Sequence, residues 1–148
     1  MNAAELKNFP LFAEFSDEER EVVLELLEER KLPDGKSIFR EGSESDGLVL
    51  LQEGRMKLKS KRTGAIVGIV EAPFQMGAVS LFSLGNREVS ALATGPATVW
   101  LLPRSGLSRL AGDAPYAAFR LAEAVAGDLA VLLRERLDCL AADTGSED

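Results

Sequence analysis

The sequence contains no histidine and a single cysteine. The first absence removes Ser-His-Asp and Cys-His catalysis, and takes away the usual ligand of zinc and mononuclear iron sites. The second excludes an internal disulfide. Cys139, with no imidazole anywhere to activate it, reads as a structural or incidental thiol. No apolar run approaches the roughly 18 to 20 residues that a membrane-spanning helix needs. The opening Met1-Asn2-Ala3-Ala4-Glu5 lacks the basic-then-apolar order of a secretory signal, so the expectation is a cytoplasmic protein without a membrane partner. Tryptophan and tyrosine occur once each, as Trp100 and Tyr116, and both are expected to pack in a core or an interface. Basic residues are outnumbered, 17 against 24 acidic, and the net charge of −7 would repel nucleic acid.

What remains is the composition of an ordinary globule, 46% hydrophobic and 28% charged over 148 residues, enough for one domain with its own core. The stretch FSDEEREVVLELLEER opens with Ser16 three residues before Glu19, the arrangement of a capping box, and continues with Val22, Val23, Leu26 and Leu27 at helical spacing. It predicts an amphipathic helix whose outer face carries Asp17, Glu18, Glu19 and Glu21. A shorter helical turn around Ala3 to Lys7 is expected before it, separated by Pro10 in NFPLF.

From Pro33 the texture changes to short β-rich runs punctuated by glycine. Strands are expected at Arg30 to Leu32, Ser37 to Phe39, Gly47 to Glu53, Arg55 to Ser60, Ala65 to Val70, Glu88 to Thr94 and Ala97 to Leu102, with Gly42, Gly54, Gly64 and Gly95 at the joints. After Pro103, Ser105 is positioned to cap a short helix ending near Gly112, and Ala114 to about Ala142 forms a long one. On that helix Ala122, Ala126, Leu129, Leu133 and Leu140 make a stripe suited to a partner helix as well as to a core. The expected organisation is a single domain over 1–142, with helices at 3–29, a β-roll at 30–103 and C-terminal helices at 104–142. The acidic tail 143–148 is expected to be disordered. Arg55, Lys57, Lys59, Lys61 and Arg62 alternate with Met56 and Leu58 and read as a solvated strand face and hairpin tip, with no interleaved aromatics for base stacking.

The fold class is therefore mainly β with flanking helices: an antiparallel β-roll or jelly roll of about seven or eight strands, a short helical turn within it and a long C-terminal helix. In this order FREGSESDGLVLLQEGRMKL, MGAVSLFSLGNREVSALA and VWLLPRSGLSRLAGDAP resemble, from roughly Leu6 to Leu137, the cyclic nucleotide-binding domain shared by catabolite activator-type regulators, kinase regulatory subunits and some ion channels. The middle segment resembles the family's phosphate-binding cassette.

The resemblance implies a non-enzymatic regulatory module. Gly77 would let the backbone approach an anion, and the turn Ala78 to Leu81 would direct the amides of Ala78, Val79 and Ser80 at it. Arg87 lies where the family keeps its phosphate-clamping arginine. Two positions depart from the pattern. Ala78 stands where the family has a glutamate that accepts from the ribose 2′-hydroxyl, a loss of about 1.5 to 3 kcal/mol. Glu88 stands where a small residue is usual, and its carboxylate either turns away from the pocket or pairs with Arg87. Gln75 and Met76 are ligand-proximal candidates, Gln75 as a neutral contact to the ribose. The candidate ligand is cyclic AMP or cyclic GMP, with no cofactor and no metal.

Two readings stay open. One is a sensor that binds a cyclic nucleotide or related phosphate weakly or with altered specificity. The other is a degenerate domain that binds no nucleotide and serves as a dimerising scaffold for an unidentified protein partner. Both expect a homodimer through the 114–142 helix. With the sequence stopping soon after that helix, no helix-turn-helix domain is expected within it.

Overall fold

Five consecutive apolar or small residues, Gly47 to Leu51, are all buried, as a strand covered on both faces requires. In the computed structural model, which describes residues 1–145, they begin a strand of 13 residues, β4 (Gly47–Lys59). It pairs antiparallel with the 14-residue β8 (Ser90–Pro103). The sequence reading placed a break in each of these strands. Both instead run through, bulging where Gly54 takes φ 93° and Gly95 takes φ 75°. At Gly54 a Cβ would lie 2.5 Å from the Pro96 carbonyl oxygen, so glycine is needed for the two strands to stay in contact across the bulge.

The β4–β8 pair is the centre of a six-stranded antiparallel sheet. On one side of β8 lie β1 (Glu28–Leu32) and β2 (Ser37–Phe39), and on the far side of β4 lie β5 (Ile66–Glu71) and β6 (Phe74–Met76). Two short strands, β3 (Glu44–Ser45) and β7 (Gly85–Asn86), form a separate ladder. Strand alternation divides β4 between two cores. Leu48 and Leu50, with Leu102 of β8, pack against the helices, while Val49, Leu51 and Met56 fill the roll with Ala91, Ala93, Ala97 and Val99.

The helical layer is α1 (Ala3–Leu6), a 3-10 turn at Pro10–Phe12, α2 (Asp17–Leu26), α3 (Arg104–Asp113) and α4 (Pro115–Gly145). The capping box of α2 forms as expected: Ser16 Oγ accepts from the Glu19 N–H and Glu19 accepts from the Ser16 N–H. Ser105 does not cap α3. The cap position falls on Pro103, whose extended backbone turns the chain out of β8 directly into the helix, with no side-chain hydrogen bond. Helix α4 continues to Gly145, past the expected end at Ala142, and residues 146–148 of the expected disordered tail lie outside the described residues.

The core-facing side of α4 is Ala117, Leu121 and Val125, at four-residue spacing, rather than the line of Ala122 and Ala126. Beyond Val125 the helix borders a groove beside the turn after β6 as far as Leu132, and Leu129, Leu133 and Leu140 are exposed. Trp100 packs on the helical core, its indole N–H donating to Gln52. Tyr116 does not pack inside; it stands in solvent with Phe119. Among the described residues no helix is long and apolar enough to cross a membrane.

Arg20 is the charged residue of the acidic stretch that points inward, beside Val23 and Leu26. Its Nε donates to the Phe12 carbonyl at 3.0 Å, one terminal nitrogen to the Ala13 carbonyl at 2.8 Å and the other to Asp17 at 2.8 Å, with the side chain buried. These bonds tie the 3-10 turn to α2; the Phe12 carbonyl also accepts from the Phe15 N–H, whereas the Ala13 carbonyl depends on Arg20. Arg20→Met keeps the aliphatic stem but leaves the Ala13 carbonyl unpaired. It is expected to destabilise the fold by about 1 to 3 kcal/mol, read as a lower urea midpoint at unchanged slope.

Candidate ligand-binding site

A cavity of about 420 Å³ opens between β7, the end of β2 and the turn that follows β6. The turn begins at Gly77, in the left-handed region at φ 80°, and continues as a 3-10 helix over Ala78–Leu81. Gly77 is required twice: by its φ, and because a Cβ there would lie 2.3 Å from Arg87 Nη1 and 2.9 Å from the Gly47 carbonyl oxygen. The cassette and the arginine therefore touch through a position that tolerates no side chain.

Arg87 is fixed from its backbone outward. Its N–H donates to the Ser43 carbonyl and its own carbonyl accepts from the Gly42 N–H, both at 2.8 Å, which holds the 85–87 segment against the 42–45 turn. The guanidinium then stacks on Phe39, 4.3 Å from the ring centroid, and Nη2 donates to the Gly47 carbonyl at 3.1 Å. The side chain is 8% exposed, and its Nε has no hydrogen-bond partner. Burial pulls its pKa below the ordinary arginine value, while the Asp46 and Glu88 carboxylates pull it back up from a distance. Arginine nevertheless keeps its proton in proteins. The site thus holds a desolvated cation with an unpaired donor and, among the described residues, no ion pair, the electrostatic condition that a bound anion relieves.

The remaining expected site residues divide. Met76, Ala78, Val79, Ser80 and Glu88 all line the cavity. The Ser80 N–H is spent on the Gly77 carbonyl at 2.9 Å, so of the three expected amides those of Ala78 and Val79 occupy the open first turn. The Ser80 hydroxyl hydrogen-bonds that of Ser45, joining the turn to β3. Glu88 is exposed at the rim and makes no ion pair with Arg87, so the competing Arg87–Glu88 pairing does not form. Gln75 is directed away from the cavity. Its Oε1 accepts from the Leu11 N–H at 3.2 Å and ties β6 to the N-terminal 3-10 turn, so it is not placed to meet a ribose. Phe39, Ser45 and Gly47 went unnoticed in the sequence reading. Strand alternation could have placed Phe39 inward, but nothing local signals that it lies under a guanidinium.

Away from Arg87, the cavity presents the apolar side chains of Phe39, Leu58, Met76 and Leu84, with Ser83 and Asn86 as polar groups. A buried cation at one end of a small, mostly apolar cavity suits a ligand with a compact anionic group and a flat or apolar body. Gly77→Ala is expected to push Arg87 off its seat and to lower the melting temperature, a strain of about 1 to 3 kcal/mol. A thermal melt beside Gly85→Ala, where a Cβ would meet nothing within 4 Å, checks this.

A family model described as the cyclic nucleotide-binding domain matches residues 29–113. The chain is 31% identical over 127 residues to the "Cyclic AMP receptor protein" of Thermus thermophilus, an alignment covering 82% of this chain and 57% of that protein. The chain thus spans a little over half the length of that curated relative. Among solved structures, the N-terminal domain of a transcriptional regulator from Streptomyces coelicolor superposes with a TM-score of 0.79 at 28% identity, covering 86% of this chain and 94% of that one. The Thermus thermophilus catabolite activator protein gives a TM-score of 0.74 at 28% identity, covering 89% and 63%.

Proposed function

Since the chain belongs to the cyclic nucleotide-binding domain family, we propose that it is a non-enzymatic, cytoplasmic sensor module that binds a cyclic nucleotide or related phosphate ligand at the Gly77–Arg87 cavity. The observation that carries this is Arg87: buried, stacked on Phe39, unpaired with any carboxylate and left with a free Nε–H. In the bound state the phosphate would meet that guanidinium and the amides of Ala78 and Val79, and Ser80 would contribute through position rather than its amide. The base or other apolar body would lie along Phe39, Leu58 and Met76.

The affinity is expected to be weak or the specificity altered. Ala78 supplies no carboxylate for a ribose hydroxyl, and Glu88 sets a negative charge at the rim that opposes an anion's approach. Cyclic AMP and cyclic GMP are the ligands to test first. Calorimetric titration with each, to millimolar concentration, is expected to give saturable binding. That binding should vanish in Arg87→Ala, provided circular dichroism shows the variant folded, and Glu88→Ser should tighten it several-fold. Absence of heat from both ligands would favour the second reading, a domain without nucleotide binding that acts as a dimerising scaffold.

That second reading has its own support in α4. Leu129, Leu133, Leu137 and Leu140, each at least 42% exposed, form an apolar line on a helix that runs past the body. Two copies packed along this line would make a homodimer whichever reading of the cavity holds. Leu133→Glu with Leu137→Glu is expected to convert a dimer to a monomer in light scattering, with the melt of the roll little changed.

A further inference from the structure

A second concavity, about 860 Å³, shares no lining residue with the cassette cavity, although its Arg40, Lys59 and Ser90 directly follow Phe39, Leu58 and Val89 of that cavity in the chain. Four cations line it, and they come from separate segments. Lys36 and Arg40 flank β2, while Lys59 and Lys61 belong to the end of β4 and the hairpin tip. Antiparallel pairing makes the convergence a property of the fold: Lys59 stands opposite Ser90, and Leu92 stands opposite both Lys57 and Ser37. No ion pair engages any of the four among the described residues. In a chain of net charge −7 such a grouping is out of keeping with the rest of the surface.

The one acidic lining residue, Asp34, accepts from the Gly95 N–H at 2.8 Å and so serves to pin the loop. Hydroxyls of Ser37, Ser60 and Ser90 complete the polar wall. Ser90 Oγ already accepts from the Glu41 N–H at 2.8 Å, which leaves its own hydrogen to donate. Leu92 is the one apolar side chain, and no aromatic residue is present. The wall therefore offers charge and hydroxyl donors with neither a platform for a base nor a pocket for an apolar anchor, which disfavours single-stranded nucleic acid and a peptide hot spot.

We propose that this concavity binds a compact polyanion carrying two or more adjacent phosphate groups. Several cations around one small volume reward a ligand whose charges are equally dense, and a single phosphate would engage fewer of them. The site shares no residue with the cassette cavity and requires no cyclic nucleotide.

The test is calorimetric titration of the full chain with orthophosphate, pyrophosphate, tripolyphosphate and ATP, at about 50 mM and about 200 mM salt. Saturable binding that strengthens from orthophosphate to tripolyphosphate and weakens with salt is expected. ATP equal to tripolyphosphate would assign an inorganic chain as sufficient, and ATP binding more tightly would assign a nucleoside-borne one. Lys59→Gln with Lys61→Gln should weaken tripolyphosphate about tenfold without altering the melting temperature, since both side chains are exposed. The proposal is overturned if tripolyphosphate gives no saturable heat, if the double variant binds it equally well, or if a glutamate-rich peptide displaces it at lower concentration.

Discussion

The hydrogen-bonded ladder between Gly47–Lys59 and Ser90–Pro103 is the constraint from which the other parts of the molecule take their positions. Its first half presents Leu48, Leu50 and Leu102 to the helices, and its opposite face presents Val49, Leu51 and Val99 to the roll. One strand pair thus belongs to two cores at once. The cassette hangs from the same ladder, because β6 pairs with β4 at Val49 to Leu51 and delivers the chain to Gly77. The residue that begins β4, Gly47, offers its carbonyl to Arg87.

That arrangement explains how one arginine can be both a structural group and the proposed ligand contact. Arg87 stacks on Phe39, bonds Gly47 and excludes any side chain at Gly77, so its position is set before a ligand arrives. Preorganisation of this kind reduces the ordering cost of binding. It also explains why substitutions elsewhere in the cassette leave the architecture standing. Ala78 packs at the margin of the helical core and Glu88 projects from the rim, so neither holds the scaffold together.

Features written in local chemistry were legible in the sequence. The capping box at Ser16 and Glu19, the positive-φ glycines and the short turn after Gly77 all follow from residues within a few positions of one another. What escaped depends on pieces distant in sequence. The breaks expected at Gly54 and Gly95 are bulges because the two glycines face a continuous partner strand. Arg20 sits among the acidic residues of α2, yet it is buried because the carbonyls of the preceding 3-10 turn lie beneath it. Gln75 was assigned to a ligand when its acceptor serves Leu11, 64 positions away. In the cavity, the family resemblance picks out Gly77 and Arg87 as candidates, whereas the contacts of Phe39 and Gly47 with Arg87 arise only when β2, β4 and β7 are brought together.

Helix α4 is 31 residues long, and among the described residues its last buried side chain is Val125. At 1.5 Å per residue, the 20 residues from Val125 to Gly145 extend about 30 Å beyond that seat. Val125, Asp128, Leu129 and Leu132 border a groove shared with Gln75, Met76, Gly77, Ala78 and Val79. The root of the projecting arm therefore sits beside the cassette. By that geometry a tilt of about 5° at the root would correspond to some 2 to 3 Å at the far end.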